Sequence, residues 1–364
     1  MTNRKIALAL MRGVIAVALV GGAIASDTKA MSTEGSLLIT TSRELDAFPH
    51  LGMARDAHVG ITSGYTGFSD SHANSDEGNL RLLFHLDEES GVLVRLHNDS
   101  FGYRVLSYAW GSSGNGTLGG GQILEADYLK SNFSVGVSLG MEDEGSGENG
   151  QTVFGGRGSF TTGEGQHVSG EITMASPEDD DFDSGMLAAA LYRGEYDNGW
   201  TSHGGFYLAK PIAHQDADVD NEIGLMLSAG RRVLNTDRSQ VGIECFFDYI
   251  KNDYNGDYDN FVFPGMRVGV VHQLTNLLDF HGGVHAGWEF MKENDSDDAP
   301  GFGTLADEDS NDAKEFSYDY TLGLGAHFGP VTVDLNVHPE AIPTLTRFGS
   351  EDHMFAQMSV EVVW

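Results

Sequence analysis

The chain has 364 residues, with 54 acidic against 21 basic ones and a formal net charge of −33 at pH 7, an excess that argues against nucleic acid as a partner because phosphate binding requires a basic surface. Its one cysteine, Cys245, excludes an internal disulfide and any metal site built from several thiolates. The 48 glycines, only 8 prolines and the lack of a Pro/Ser-rich linker favour one large domain over two soluble ones.

Residues 1–25 have the pattern of a secretory signal peptide. Basic residues precede an apolar run from Val14 to Ile24, and Ala23-Ile24-Ala25 is a small-x-small cleavage site. The run is too short to cross a bilayer, and no later stretch is long and apolar enough to do so as a helix. We therefore expect an exported protein that is periplasmic, secreted or held in an outer membrane. Residues 26–56 lack a clear period and are interpreted as an N-terminal lead-in or as a segment inside a lumen.

From residue 57 onward, short runs of alternating apolar and polar residues recur with turns between them, which is typical of antiparallel strands. In 132–141, for example, Phe133, Val135 and Val137 alternate with serines and glycines. The candidate strands are 57–67, 78–86, 91–98, 102–110, 121–129, 132–141, 152–160, 166–175, 185–195, 199–209, 221–233, 240–250, 260–273, 278–291, 316–328, 331–338 and 354–364. They predict a single β domain over 57–364.

These runs have about the length that a tilted strand needs to cross a bilayer, roughly ten residues. Their polar sets are small and hydrophilic, which predicts a watery interior and an apolar outer face. Aromatic residues lie towards the ends of the runs, as in the girdles of transmembrane barrels. The predicted girdle consists of Trp110, Trp200, Trp288, Tyr318, Tyr320, Phe328 and Trp364.

The connections between runs alternate in kind. Counted back from residue 364, one set is mostly long or acidic and the other consists of tight turns such as 329–330 and 274–277. Long loops on one side and short turns on the other are typical of transmembrane barrels. Both termini would lie on the short-turn side, so an even strand number is expected. Sixteen strands are favoured, with 57–67 misassigned or partly luminal, and fourteen is the alternative.

The last run, 354–364, places Val360, Val362 and Trp364 on one face and Ser359 and Glu361 on the other. This ending resembles the closing strand of Gram-negative outer-membrane β-barrels, in which a terminal aromatic residue follows alternating apolar residues. The resemblance implies an all-β, transmembrane, antiparallel up-and-down barrel, surrounded by outer-membrane lipid and lipopolysaccharide. It also implies assembly through recognition of this strand by the barrel-assembly machinery, and homo-oligomers are compatible with it. The alternative is a soluble sandwich that ends in an unprotected edge strand.

Several ionisable residues fall on the inward phase of the C-terminal runs. They are predicted to line a pore: Arg267, His281, His285, Glu289, Asp319, His327 and Asp334. His281 and His285 are about 13 Å apart on one strand and cannot share a metal ion, so no metal and no cofactor are expected. Without a Gly-x-Ser-x-Gly motif, no catalytic residue is predicted either.

Three functions remain open from the sequence. The first is a porin-like, non-catalytic channel for small hydrophilic solutes or ions, with a preference for cations because of its acidic loops. The second is a closed or plugged barrel that acts as a surface binding or structural protein through those loops. The third is a barrel hydrolase. A segment within 26–56 that blocks the lumen would favour the second.

Overall fold

The structure is a computed structural model that describes residues 44–66, 79–98, 122–142, 151–178, 181–210, 212–214, 221–252, 258–293, 312–337 and 354–364. Within these ranges sixteen strands form one closed, antiparallel barrel whose last strand pairs with its first. This confirms the predicted up-and-down barrel and the predicted strand number. Among the described residues, no helix is long and apolar enough to cross a lipid bilayer.

Two groups of strands are present. The barrel strands are β1 (His58–Thr66), β2 (Asn79–His85), β3 (Ser90–Asn98), β4 (Gln122–Lys130), β5 (Phe133–Glu142), β6 (Gln151–Gly163), β7 (Gln166–Pro177), β9 (Gly185–Glu195), β10 (Trp200–Lys210), β12 (Glu222–Asn235), β13 (Ser239–Asn252), β14 (Tyr258–Gln273), β15 (Leu278–Glu293), β16 (Asp312–Phe328), β17 (Val331–Val337) and β18 (Met354–Val363). The short strands β8 (Phe182–Asp183) and β11 (Ala213–His214) pair with each other in a separate ribbon.

The run 57–67, which the sequence suggested to be misassigned or partly luminal, is barrel strand β1. Its first residue, His58, is paired with Leu83 of β2 and with Val363 of β18, so β1 closes the barrel. The prediction was wrong because the run 102–110 was counted as a strand, and with that extra strand the long and short connections no longer alternate in this part of the chain. Since β3 pairs directly with β4, the ladder closes without the run 102–110, which lies outside the described residues.

The two faces of the barrel wall have the polarity expected of a protein in lipid. On β5, Phe133 and Val137 are 40% and 64% exposed on the outer face, whereas Ser134 is only 4% exposed on the inner face. Leu324 of β16 is likewise 49% exposed. A soluble sandwich would bury such large apolar side chains between two sheets. Large apolar residues therefore face outward, and on β5 small polar residues face the lumen.

The barrel has two different rims. At one rim, here called the short-turn rim, consecutive strands are joined by the turns 86–89, 131–132, 164–165, 196–199, 236–238, 274–277 and 329–330. Gly329 has a φ of +64°, which suits the two-residue turn 329–330 because glycine adopts positive φ without steric cost. The other connections, up to 23 residues long at 99–121, join strand ends at the opposite, long-loop rim. The amide of Trp364 donates to the carbonyl of Ala57 over 3.0 Å, so β1 begins and β18 ends at the short-turn rim.

Inside the barrel lies a short piece of chain that we call the luminal segment, residues 44–54. It consists of α1 (Glu44–Ala47) and a 3₁₀ helix (Pro49–Ala54). Leu45 packs against the inward-facing Leu83, Leu93 and Leu129, and all four side chains are fully buried. Phe48 is also fully buried, in a larger apolar cluster on the inner wall. That cluster contains Ala47, Phe48, Ile123, Val153, Ala175, Leu187, Ala189, Leu191, Tyr207, Ala209 and Met226.

Candidate functional site

The luminal segment is bound to the wall by polar contacts as well as by packing. Glu44 forms an ion pair with Arg193 of β9, and a guanidinium nitrogen of Arg95 on β3 donates to the carbonyl of Leu45. At the other end of the segment, His85 Nε2 donates to the carbonyl of Arg55 over 2.7 Å. The segment is thus held by β9 and β3 at its start and by β2 just beyond its end.

His50 makes the central polar contact of the luminal segment. Its Nδ1 lies 2.6 Å from Ser159 Oγ, its Nε2 lies 3.1 Å from His167 Nδ1, and Ser159 in turn contacts Ser134 Oγ at 2.6 Å. Burial, followed by the effect of His167, lowers the pKa of His50 to about 4. Ser159 is buried, and these contacts, here called the anchor, join the luminal segment to β6 and β7 of the wall.

An ionic network on the inner wall also contacts the luminal segment, through Arg95. Arg157 makes two hydrogen bonds of 2.6 Å to Asp127 and lies 2.9 Å from Glu125, which is 3.0 Å from Arg95. Arg157 and Asp127 belong to β6 and β4, and they meet across Gly136 of β5. A Cβ at position 136 would overlap Asp127 Oδ1, so this close approach requires glycine. None of these residues was singled out from the sequence, because the pairing depends on register.

The inner wall is less watery than the polar alternation predicts. On β9 the inward residues Leu187, Ala189 and Leu191 are buried and apolar, and the outward set on the same strand is apolar too. They contribute to the cluster that contains Phe48. The inner face of β9 is apolar because it contacts protein, so the prediction of an evenly hydrophilic lumen was wrong on this side of the barrel.

The predicted pore-lining residues belong to β14 to β17, in the wall opposite the apolar cluster. Arg267 is buried on β14, with its guanidinium carbon 4.2 Å from the ring centre of Phe246 and a nitrogen 3.4 Å from Asp248. His285 of β15 is the cross-strand neighbour of Arg267, and its ring lies 4.8 Å from Phe246. Further along β15, Glu289 accepts a hydrogen bond of 2.6 Å from Asn260.

The remaining members of the predicted set lie on β15 to β17. His281 is buried, and His327 Nε2 contacts Asp279 Oδ2 at 2.8 Å. Asp319 is paired with His285 in the ladder, but its side chain lies outside the described residues. Asp334 comes close to Asp279 and His281, a grouping that the sequence did not predict. The role of these residues in conduction stays a prediction.

The described girdle aromatics are exposed at two levels of the outer face. Trp200, Phe328 and Trp364 lie next to turns or ends at the short-turn rim. Trp288 lies ten residues beyond Leu278 on β15, which at about 3.3 Å per residue and a tilt of about 40° is roughly 25 Å along the barrel axis. Its ring packs on Phe316 at 5.3 Å. Trp110 and the side chains of Tyr318 and Tyr320 lie outside the described residues.

Comparison with known proteins adds only a likeness of fold. No protein-family model matches the chain, and no curated protein matches it. Among solved structures, a bacterial polysaccharide outer membrane secretin is 8% identical, with a TM-score of 0.48 and coverage of 85% of this chain and 98% of that one. CdiB from Escherichia coli is 10% identical (TM-score 0.44, 85% and 63% covered), and an anion-selective porin from Comamonas acidovorans is 13% identical (0.39, 84% and 95%). The fold assignment to the outer-membrane barrel class therefore depends on the chain's own strand pairing.

Proposed function

We propose that the protein is a porin-like channel of the outer membrane, non-catalytic, for small hydrophilic solutes or ions, and that the luminal segment narrows its lumen. The observation that carries the proposal is the polarity of the closed barrel. Its outer face is apolar over a band of roughly 25 Å between two levels of aromatic residues, as hydrocarbon requires, and ionisable side chains line its inner face. Among the described residues, the luminal segment packs against strands β2 to β12, whereas the ionisable residues Arg267, His285 and Glu289 belong to β14 and β15.

A preference for cations is supported by the balance of charge on the inner wall. Four inward arginines each lie next to a carboxylate: Arg95 next to Glu125, Arg157 next to Asp127, Arg193 next to Glu44, and Arg267 next to Asp248. Their charge is thereby compensated locally. Glu289, by contrast, interacts with a neutral amide, and the chain as a whole is strongly acidic. A lumen with uncompensated carboxylates raises the local concentration of cations.

Planar-bilayer recording of refolded protein tests the proposal. In a gradient of KCl we expect small conductance steps and a reversal potential displaced towards that of K⁺. A variant that lacks residues 44–54 should show larger steps, because the wall remains closed while the obstruction is removed. If neither protein conducts, the channel proposal is wrong.

A second candidate is a plugged barrel that acts at the cell surface through its acidic loops. The observation that favours it is the luminal segment itself, which packs against inward residues on strands from β2 to β12 and is held by ion pairs. The same recordings separate the two candidates. A plugged barrel gives no steps with the intact chain and clear steps once residues 44–54 are removed, whereas a channel conducts in both forms.

A further inference from the structure

Two aspartates and one histidine converge on the inner wall near the short-turn rim. Asp279 of β15 and Asp334 of β17 are both cross-strand neighbours of Gly325 on β16, so they approach each other across that glycine. His281 lies two residues beyond Asp279 on the same face of β15 and is buried. One ligand atom from each of Asp279, His281 and Asp334 can be chosen such that all three atoms lie within 4.8 Å of one another.

Gly325 makes this approach possible. A Cβ at position 325 would overlap Asp279 Oδ1 and would lie 2.8 Å from Asp334 Oδ1. The two carboxylates therefore occupy the space that any other residue at position 325 would fill. Carboxylates this close repel each other unless a proton or a cation lies between them.

The same construction occurs elsewhere in this barrel with a different outcome. At Gly136 the flanking strands also bring two side chains together over a glycine, but these are Asp127 and the guanidinium of Arg157. There the protein itself supplies the positive charge. At Gly325 both flanking side chains are carboxylates, so a cation bound between them would have the role that the Arg157 guanidinium has at Gly136.

The contacts around Asp279 orient it for such an ion. Its Oδ2 accepts a hydrogen bond of 2.8 Å from His327 Nε2, and His327 Nδ1 lies 3.2 Å from Thr332 Oγ1. Among the described residues, its Oδ1 is buried and has no hydrogen-bond partner. Outer hydrogen bonds of this kind commonly fix the direction of a metal-binding carboxylate. One oxygen is thus held in place while the other is directed over Gly325.

We propose that Asp279, His281 and Asp334 bind a divalent transition-metal cation on the luminal wall. Two carboxylate oxygens and an imidazole nitrogen suit Zn²⁺ or Mn²⁺, whereas Ca²⁺ and Mg²⁺ take oxygen ligands. Three protein ligands leave coordination positions for water, so the ion is exchangeable with the lumen. His285, four residues further along β15, is not part of this group; the further ligands come from carboxylates that only the strand register brings together.

Isothermal titration of the refolded full-length chain with ZnCl₂ tests the proposal. We expect one tight equivalent, weakened at least tenfold in Asp334→Asn and in Gly325→Ala. The glycine variant keeps all three ligands and removes only the space. Gly156→Ala is its matched control, because a Cβ at position 156 meets no atom within 4 Å, and it should bind as the unaltered chain does. His327→Gln should weaken binding by about 10- to 100-fold, the usual effect of losing an outer partner.

Three further outcomes decide against the site. If Zn²⁺ binds equally to the unaltered chain, Asp334→Asn and Gly325→Ala, binding is elsewhere, for instance in the acidic loops, and the proposal is wrong. If Ca²⁺ displaces Zn²⁺ at equal concentration, His281 is not a ligand. The absorption spectrum of Co²⁺ added to the unaltered chain provides a readout that needs no variant. If the added Co²⁺ keeps the absorption spectrum of the hexaaquo ion, the proposal is overturned.

Discussion

Mutation of Phe48 is the most direct test of how the luminal segment is held in the barrel. It is 0% exposed, and it inserts into the apolar cluster formed by inward residues of β4 to β12. Truncation of a buried phenylalanine to alanine costs about 3–5 kcal/mol. The barrel closes through its own strand ladder, so we expect this cost to fall mainly on docking of the segment and not on the barrel. With a factor of ten for each ~1.4 kcal/mol, the ratio of docked to undocked segment should fall by roughly 10² to 10³ in Phe48→Ala.

Single-channel recording and limited proteolysis both detect this change. Phe48→Ala should give more frequent or larger openings, and protease added from the short-turn side should cut within residues 44–54 at lower concentration. Phe160→Ala is the matched control, because the same atoms are removed from a side chain that is 49% exposed on the outer face. Conductance and cleavage in Phe48→Ala that equal those of Phe160→Ala would refute the argument that burial of Phe48 holds the segment in the lumen.

Three other predictions concern the anchor, the wall and the N-terminus. The docked His50 has a pKa of about 4 against an ordinary value of 6.5, so an undocked segment takes up a proton first as the pH falls. Docking of the segment should therefore weaken as the pH falls from 6.5 to 4, and the conductance should rise over this range. His50→Gln should abolish this pH dependence. A conductance that does not change with pH in the unaltered chain would contradict the prediction. Gly136→Ala should lower the free energy of unfolding by about 1–3 kcal/mol, measured by urea unfolding from lipid vesicles, because its Cβ displaces Asp127 from Arg157. Gly156→Ala should leave the free energy of unfolding unchanged. Equal unfolding midpoints for the two variants would disprove the steric argument. N-terminal sequencing of exported protein should begin after Ala25, and a retained residue 1 would show that no signal peptide is removed.

The outer face of the barrel could be predicted from the sequence because it depends on local alternation alone. Phe133, Val135 and Val137 have a period of two that needs no knowledge of the neighbouring strands. The turns at one rim are also local, so the strand number followed from them. That 57–67 is a barrel strand could not be predicted from local alternation, because β1 is recognised by its pairing with β18, which is distant in sequence.

The interior could not be predicted to the same extent, because it depends on register and on a segment outside the strand ladder. Asp279 and Asp334 meet only because the ladder aligns both with Gly325, and β15 and β16 are joined by a long connection that does not fix register. The luminal segment did leave a signal. The run 185–195 is apolar on both faces, as expected of a strand with lipid on one side and protein on the other.

The central claim is that the outer face of this barrel contacts hydrocarbon, and the native Cys245 allows a direct measurement. Cys245 is exposed on the outer face of β13, where it is paired with Ala229 and Met266. A nitroxide attached to it in lipid vesicles should be relaxed more strongly by oxygen, which concentrates in the bilayer, than by a water-soluble nickel chelate. A nitroxide at the inward position 138, in a chain with Cys245→Ser and Ser138→Cys, should give the smaller oxygen-to-nickel ratio. A label at Cys245 that the nickel chelate relaxes more strongly than oxygen would contradict the account.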